Sequence, residues 1–258
     1  MSVVLFEIRE QVGCITLNRP EKLNSFNREM AIGMQQALDE CAGNKQIRAV
    51  YLTGAGKAFS AGQDLGEVTG ENPVSFNIIL SEHYNPIIRK IRVLQKPVVC
   101  AVNGVAAGAG ANIALSADIT VAKRSASFIQ AFSKIGLIPD SGGTFFLPRL
   151  IGLQRATALM MLGDKVASAD AERMGMIFKC MEDELFEAES FEIALRLSNM
   201  PTKGLALTKQ ALNSSLINNL VDQLSEEDRL QLKASSTEDY REGVSAFLEK
   251  RNPVFRGE

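Results

Sequence analysis

The chain has 258 residues, 46% hydrophobic and 22% charged, with a formal net charge of −2 at pH 7. That length supports one large domain or two small ones around a sizeable core, and the composition excludes disordered and fibrous classes. The near-neutral balance gives no general attraction to nucleic acid or to an anionic membrane, so an anionic ligand would have to be held by local charge or backbone amides.

Val3 to Glu10 and Val12 to Asn18 read as a β-hairpin, with β-branched residues on either side of a turn at Gln11 to Gly13. The opening MSVVLFEIRE lacks a basic region, a long apolar core and a small-residue cleavage site, so export is not expected and a cytoplasmic location is. Asn27 is placed to cap an amphipathic helix with Met30, Met34 and Leu38 on one face. Arg48 to Thr53 is a short buried strand ended by Gly54-Ala-Gly56. The pattern recurs with a strand at Val98 to Val102, a helix from about Gly108 and a strand at Ile119 to Ala122. Alternating strands and helices argue for an α/β fold.

The uncharged run from Pro97 to Ala117 is as long as a membrane span. Its proline, glycines and asparagines fit a buried strand, a glycine turn and a buried helix better. From about Leu185 the segments ESFEIALRLSN, KGLALTKQALNSSL and VDQLSEEDRLQLKASS carry helical periodicity without strands between them. The expected organisation is a core over residues 1–195 and a helical region over residues 196–258.

His83 is the only histidine, which disfavours triads that need a histidine base, and Cys14, Cys41, Cys100 and Cys180 show neither zinc nor disulfide spacing. No metal and no cofactor is expected. Chemistry is sought instead at three glycine turns, AFSAGQD, NGVAAGAG and IPDSGGT, none of which has nucleotide-loop spacing. Glycine lets a backbone approach a ligand closely, and a helix opened by such a turn presents free N–H groups to an oxyanion. Locally, Asp140 could simply cap a helix starting near Ser141.

AFSAGQDL, AVNGVAAGAGANIALSADI, GLIPDSGGT and the tail FLEKRNPVFRG closely resemble the crotonase superfamily, the enoyl-CoA hydratase/isomerase family, in motif order and over essentially the whole chain. Within it, YNPIIRKI, GLIPDSGGT and DYREGVSAFLEKR are most similar to isomerases of ring-1,2-epoxyphenylacetyl-CoA. The resemblance implies a crotonase-like spiral of ββα units. It also implies C-terminal helices that assemble homotrimers or hexamers, with a second subunit of the same superfamily as a further candidate partner.

It implies an acyl-CoA thioester as ligand, with coenzyme A as part of the substrate, and backbone N–H groups of Gln63 and Ala109 as donors to the thioester oxygen. Ala61, Gly62, Asp64, Leu65 and Gly108 of those two turns, with Asn112, Phe132 and Ile138, are the implied substrate-binding positions, Asn112 as a residue that could orient substrate or a water. Leu23 and Lys57, with Phe247 and Lys250 from a neighbouring subunit, match positions near the coenzyme A arm. The two glutamates that hydratases use correspond here to Asn112 and Phe132, neither of which transfers a proton as a carboxylate does. Asp140 matches the lone carboxylate of family isomerases. Phe132, Ile138, Phe145 and Phe146 are candidate apolar walls, and His83 and Tyr84 fall in the variable pocket wall between Gly66 and Ile88. The implied activity is conversion of the epoxide to oxepin-CoA. Δ3,Δ2-enoyl-CoA isomerisation, hydration and a non-enzymatic CoA-binding scaffold role are the alternatives.

Overall fold

The computed structural model describes residues 2–69 and 73–258, so residues 70–72 of the variable wall lie outside the described residues. The expected hairpin is present as β1 (Val4–Arg9) and β2 (Val12–Leu17), antiparallel across a turn in which Glu10 takes a φ of 55°. Helix α1 (Arg28–Gly43) follows, and the Asn27 side chain accepts from the Met30 N–H at 2.9 Å. Met30, Met34 and Leu38 are buried on its inner face.

Three passages then build two sheets at once. Strands β3 (Ala49–Gly54), β5 (Val98–Val102) and β7 (Ile119–Lys123) extend the first sheet. Each is followed by a three-residue strand of the second sheet: β4 (Ala58–Ser60), β6 (Val105–Ala107) and β8 (Ser127–Ile129). The six-stranded sheet has the order β1-β2-β3-β5-β7-β10, closing on β10 (Lys179–Met181). The four-stranded one has the order β4-β6-β8-β9, closing on β9 (Lys165–Ala167). Strand β5 is buried along its whole length, as a central parallel strand covered on both faces must be. The corner between β5 and β6 needs Gly104, because a side chain there would overlap the Lys57 carbonyl of the preceding passage.

Helices fill the gaps. After β4 come α2 (Gly66–Thr69), α3 (Phe76–Ile78), a π-helical turn over Ile79–Tyr84 and α4 (Asn85–Val93). Helix α5 (Ala109–Leu115) follows β6. A 3₁₀ turn (Ala131–Ile135), α6 (Gly143–Ile151) and α7 (Leu153–Leu162) follow β8, and α8 (Ser168–Arg173) joins β9 to β10. The run from Pro97 to Ala117 is thus two strands and a buried helix. Among the described residues no helix is long and apolar enough to cross a membrane.

The main core lies between the two sheets and α1, α4 and α5. A second layer sits on the other face of the first sheet, where Val12, Cys14, Tyr51, Val99 and Val121 pack against Phe186 and Ala194 of α9 (Phe186–Ser198). All four cysteines are buried free thiols. Helices α10 (Thr202–Ser215), α11 (Leu220–Ser235) and α12 (Glu238–Glu249) complete the helical end. Buried Lys209 fixes α10 to the core, its Nζ donating to Asp118 Oδ2 at 2.8 Å and to the Ile91 carbonyl at 2.7 Å. Arg48 holds the tail by donating to Thr202 Oγ1 and to the carbonyls of Met200 and Phe255.

Candidate active site

The three glycine turns converge where the second sheet ends. The first is held by the segment before α1. The Ala61 N–H donates to the Leu23 carbonyl at 2.9 Å, the Phe26 N–H to the Gly62 carbonyl at 2.7 Å, and the Asp64 N–H to the Phe26 carbonyl at 2.8 Å. These bonds bracket Gln63 and leave its own N–H without a protein acceptor among the described residues. Ala109 opens α5, so its N–H also has no preceding helical carbonyl to meet. The two turns touch: a Cβ on Gly62, which has a φ of 89°, would lie 2.9 Å from the Ala107 carbonyl oxygen and 3.5 Å from the Ala109 nitrogen. Two N–H groups without protein acceptors among the described residues thus lie on adjoining, tightly packed turns.

Several polar residues that the sequence reading passed over fix this frame. Buried Asn24, at a left-handed φ of 53°, donates to the carbonyls of Ala55 and Ala58 and accepts from the Arg19 N–H at 2.8 Å. Arg19 ion-pairs with Asp64 at 2.8 Å, and the Asp64 carboxylate accepts from the Gly66 N–H at 3.1 Å, so Asp64 ties its loop. The Arg19 guanidinium and these hydrogen bonds outweigh burial and hold the Asp64 carboxyl below its ordinary range. The Gln63 carboxamide donates to Glu67 Oε2 at 3.0 Å and accepts from the Tyr84 hydroxyl at 2.8 Å. Tyr84 reaches it from the π-helical turn, whose extra residue per turn re-aims a side chain. His83 is buried on the same turn, and burial pushes its pKa down.

The third turn carries Asp140. Ser141 and Gly142 both take positive φ, 51° and 74°, and α6 begins only at Gly143. The Gly143 N–H donates to the backbone carbonyl of Asp140 at 2.8 Å, and the Asp140 carboxylate caps nothing. Its one donor among the described residues is the Ser141 hydroxyl, at 2.8 Å to Oδ1. Burial lifts the carboxyl from 3.8 to about 6, the Ser141 hydrogen bond opposing that rise. Among the described carboxylates whose pKa departs clearly from the ordinary value, Asp140 alone moves upward. Asp140 also raises the pKa of buried Tyr84, second to desolvation.

Asn112 connects the second turn to the third. It lies three residues beyond Ala109, on the same side of α5 and about 4.5 Å along its axis, and its Nδ2 donates to the Asp140 carbonyl at 2.9 Å. Phe132 is buried with its ring against Gly108, whose Cβ would lie 3.7 Å from Phe132 Cζ. Neither Asn112 nor Phe132 offers a carboxylate, and no second base stands beside Asp140 at those positions. Ile138 is 82% exposed two residues from Asp140, and Leu23 and Leu65 are exposed beside the first turn. Phe146 packs against the third turn, where a Cβ on Gly142 would lie 2.7 Å from its ring. Phe145 and Phe146 meet edge to face and also line a groove with Arg92, Val93 and Asn213.

Lys57 is exposed on the turn between β3 and β4 and joins no ion pair among the described residues. Phe247 lies in an apolar groove with Tyr240, Val244, Leu248 and Phe255, which none of the three loops lines. Lys250, the left-handed C-cap of α12, is exposed. One chain therefore does not bring these two residues to the site.

The sequence profile described as Enoyl-CoA hydratase/isomerase matches residues 7–258. The chain is 47% identical to a 1,2-epoxyphenylacetyl-CoA isomerase of Escherichia coli strain K12 over 261 aligned positions, covering 100% of this chain and 99% of that one. It is 43% identical to a protein of Rhodobacter capsulatus named as a probable enoyl-CoA hydratase, with 98% of each chain covered. A crystal structure assigned as an enoyl-CoA hydratase/isomerase from Mycobacterium abscessus superposes with a TM-score of 0.94 at 36% identity, covering 99% of this chain and 100% of that one.

Proposed function

This chain belongs to the enoyl-CoA hydratase/isomerase family, and we propose that within it the protein is an acyl-CoA isomerase acting on ring-1,2-epoxyphenylacetyl-CoA. The observation that carries this reading is the partly buried Asp140 carboxylate, without an ion-pair partner among the described residues and lifted to about 6, on a turn bonded through Asn112 to the helix that Ala109 opens.

The chemistry follows from that set. The Asp140 carboxylate removes a proton from the carbon next to the thioester, and the C–H electron pair moves into the carbonyl. The resulting oxyanion is held by the N–H groups of Gln63 and Ala109, each such donor contributing about 3 kcal/mol in comparable sites. The carbon–carbon bond shared by the epoxide and the six-membered ring breaks while both C–O bonds are kept, so the ring expands to the oxepin and the enolate becomes conjugated with it. The protonated Asp140 then returns its proton at another carbon of the conjugated system. The same proton is taken and given back, no water is consumed, and one carboxylate suffices. Hydration needs a second group to activate water, and Asn112 and Phe132 do not supply one. The same apparatus would move a double bond from position 3 to position 2 of an enoyl-CoA, which is the second reading.

Support for oligomers comes from the C-terminal helices, where Leu220, Val221, Leu224, Leu232, Phe247 and Leu248 are exposed in one chain. We take residues 196–258 as the oligomerisation region of a homotrimer or hexamer, with Phe247 and Lys250 delivered across the interface, and place the enzyme in the cytoplasm. The test of function is turnover of epoxyphenylacetyl-CoA and 3-hexenoyl-CoA by the wild type and by Asp140→Asn, with deuterium uptake at the α-carbon as readout. Loss of both turnover and exchange in the variant is expected. Undiminished turnover removes Asp140 from the mechanism, and tight binding of acyl-CoA without any wild-type turnover favours a scaffold subunit.

A further inference from the structure

The proton shuttle as described makes no use of Asn112 or Gln130, yet both are buried and their hydrogen bonds run directly to it. The Asp140 carbonyl can only accept, so the Asn112 carboxamide must turn its Nδ2 toward it, at 2.9 Å. Asn112 Oδ1 then faces the other way and requires a donor, which Gln130 Nε2 supplies at 2.8 Å. That fixes Gln130 in turn and leaves its Oε1 buried without a protein partner.

Gly143 belongs to the same arrangement. A Cβ there would overlap the Asn112 carboxamide, while its φ lies outside the left-handed region, so its missing side chain serves space and not turn geometry. The peptide between Asp140 and Ser141 is thus pinned by two donors, Asn112 Nδ2 and the Gly143 N–H. Among the described residues the carboxylate itself is held only by Ser141. Because α5 carries both Ala109 and Asn112, the same short helix sets the position of one oxyanion donor and of the base.

We propose that Asn112, oriented by Gln130 and accommodated by Gly143, is the positioning residue of the Asp140 proton shuttle, setting where the carboxylate stands relative to the Ala109 N–H. This rests on the reading of Asp140 as proton carrier. Misplacement of a reacting group by about 1 Å can cost on the order of 100-fold in rate. Asn112→Ala is therefore expected to lower kcat on epoxyphenylacetyl-CoA by 10- to 100-fold with KM within about threefold, since binding groups are untouched.

Gly143→Ala should displace the amide and reproduce that split, and the double variant Asn112→Ala/Gly143→Ala should be no slower than Asn112→Ala alone, because the clash is gone. Gln130→Met, similar in volume but without a donor, should fall in the same direction by a smaller factor. Should Asn112→Ala fail to fold, Gly143→Ala and Gln130→Met carry the test. If kcat stays within twofold in these variants while Asp140→Asn is inactive, the inference fails and the shuttle stands. A rise in KM that accounts for the whole loss makes Asn112 a substrate-binding residue and also overturns it. An active Asp140→Asn, or a wild type without turnover, instead overturns the functional reading beneath it.

Discussion

Replacing Asp140 by asparagine should make the protein more stable while it abolishes turnover. The carboxyl is lifted from 3.8 to about 6 by burial, so ionising it in the folded protein is less favourable than in the unfolded chain. At about 1.4 kcal/mol for each tenfold change in acidity, the shift corresponds to ~3 kcal/mol. The direction follows from proton binding. Between pH 3.8 and about 6 the native state holds a proton that the unfolded state has released, so stability from this group falls as pH rises through that window. Below it both states are protonated and nothing is lost. Above it the full penalty is present.

Asparagine carries no charge to desolvate and still accepts from the Ser141 hydroxyl. Urea unfolding at pH 7.5 and at pH 4, at one protomer concentration, should show the variant up to about 3 kcal/mol more stable at the higher pH and little different at the lower. Equal stability differences at both pH values would mean that the carboxylate is not desolvated, and the argument for a tuned base would fall with it.

The same shift predicts an acid limb in kcat/KM near pH 6, with about a tenth of full activity at pH 5, because only the ionised carboxylate can take the α-proton. Ser141→Ala removes the hydrogen bond that favours the ionised form, so that limb should move to higher pH, and an unmoved profile would separate it from Asp140. Gly62→Ala sets a Cβ 2.9 Å from the Ala107 carbonyl at a φ of 89°, and should cost about 100-fold or more in kcat by parting the Gln63 and Ala109 donors. Near-normal turnover in that variant would show that the oxyanion is held elsewhere.

Much of the first sheet was legible because its strands are long and apolar and because Asn27 announces α1. The second sheet was not. Strands β4, β6, β8 and β9 are three residues each, too short for any period; β4 and β6 read as parts of glycine turns, and β8 and β9 gave no signal. The turns themselves were legible for a physical reason. Gly62, Gly108 and Gly142 hold positive φ, which few other residues tolerate. What holds those turns was invisible, because the bonds Arg19–Asp64, Asn24–Ala58 and Tyr84–Gln63 join residues 21 to 45 positions apart and leave no local pattern. The resemblance supplied Gln63, Ala109 and Asp140 as a set, which local reasoning could not. On local grounds Asp140 was equally a cap, and the structure assigns that position to Gly142 instead.

The three turns also explain why the site can hold an unfavourable carboxylate. Among the described residues, five non-glycine side chains sit at positive φ, and Leu23, Asn24 and Ser141 are three of them. Such conformations cost of order 1–3 kcal/mol each and persist only where the surroundings over-determine them. Here the surroundings are the edges of two sheets and a buried helix, bonded to the turns at Leu23, Asn24 and Asp140. The strained turns and Asp140 thus share supports, Ala58 of β4 being bonded to Asn24 and Asn112 of α5 to the Asp140 carbonyl. A substitution that loosens α5 should therefore affect base and oxyanion donors together, while one at an exposed position, such as Ile138→Ala, should alter acyl preference and leave the pH profile in place.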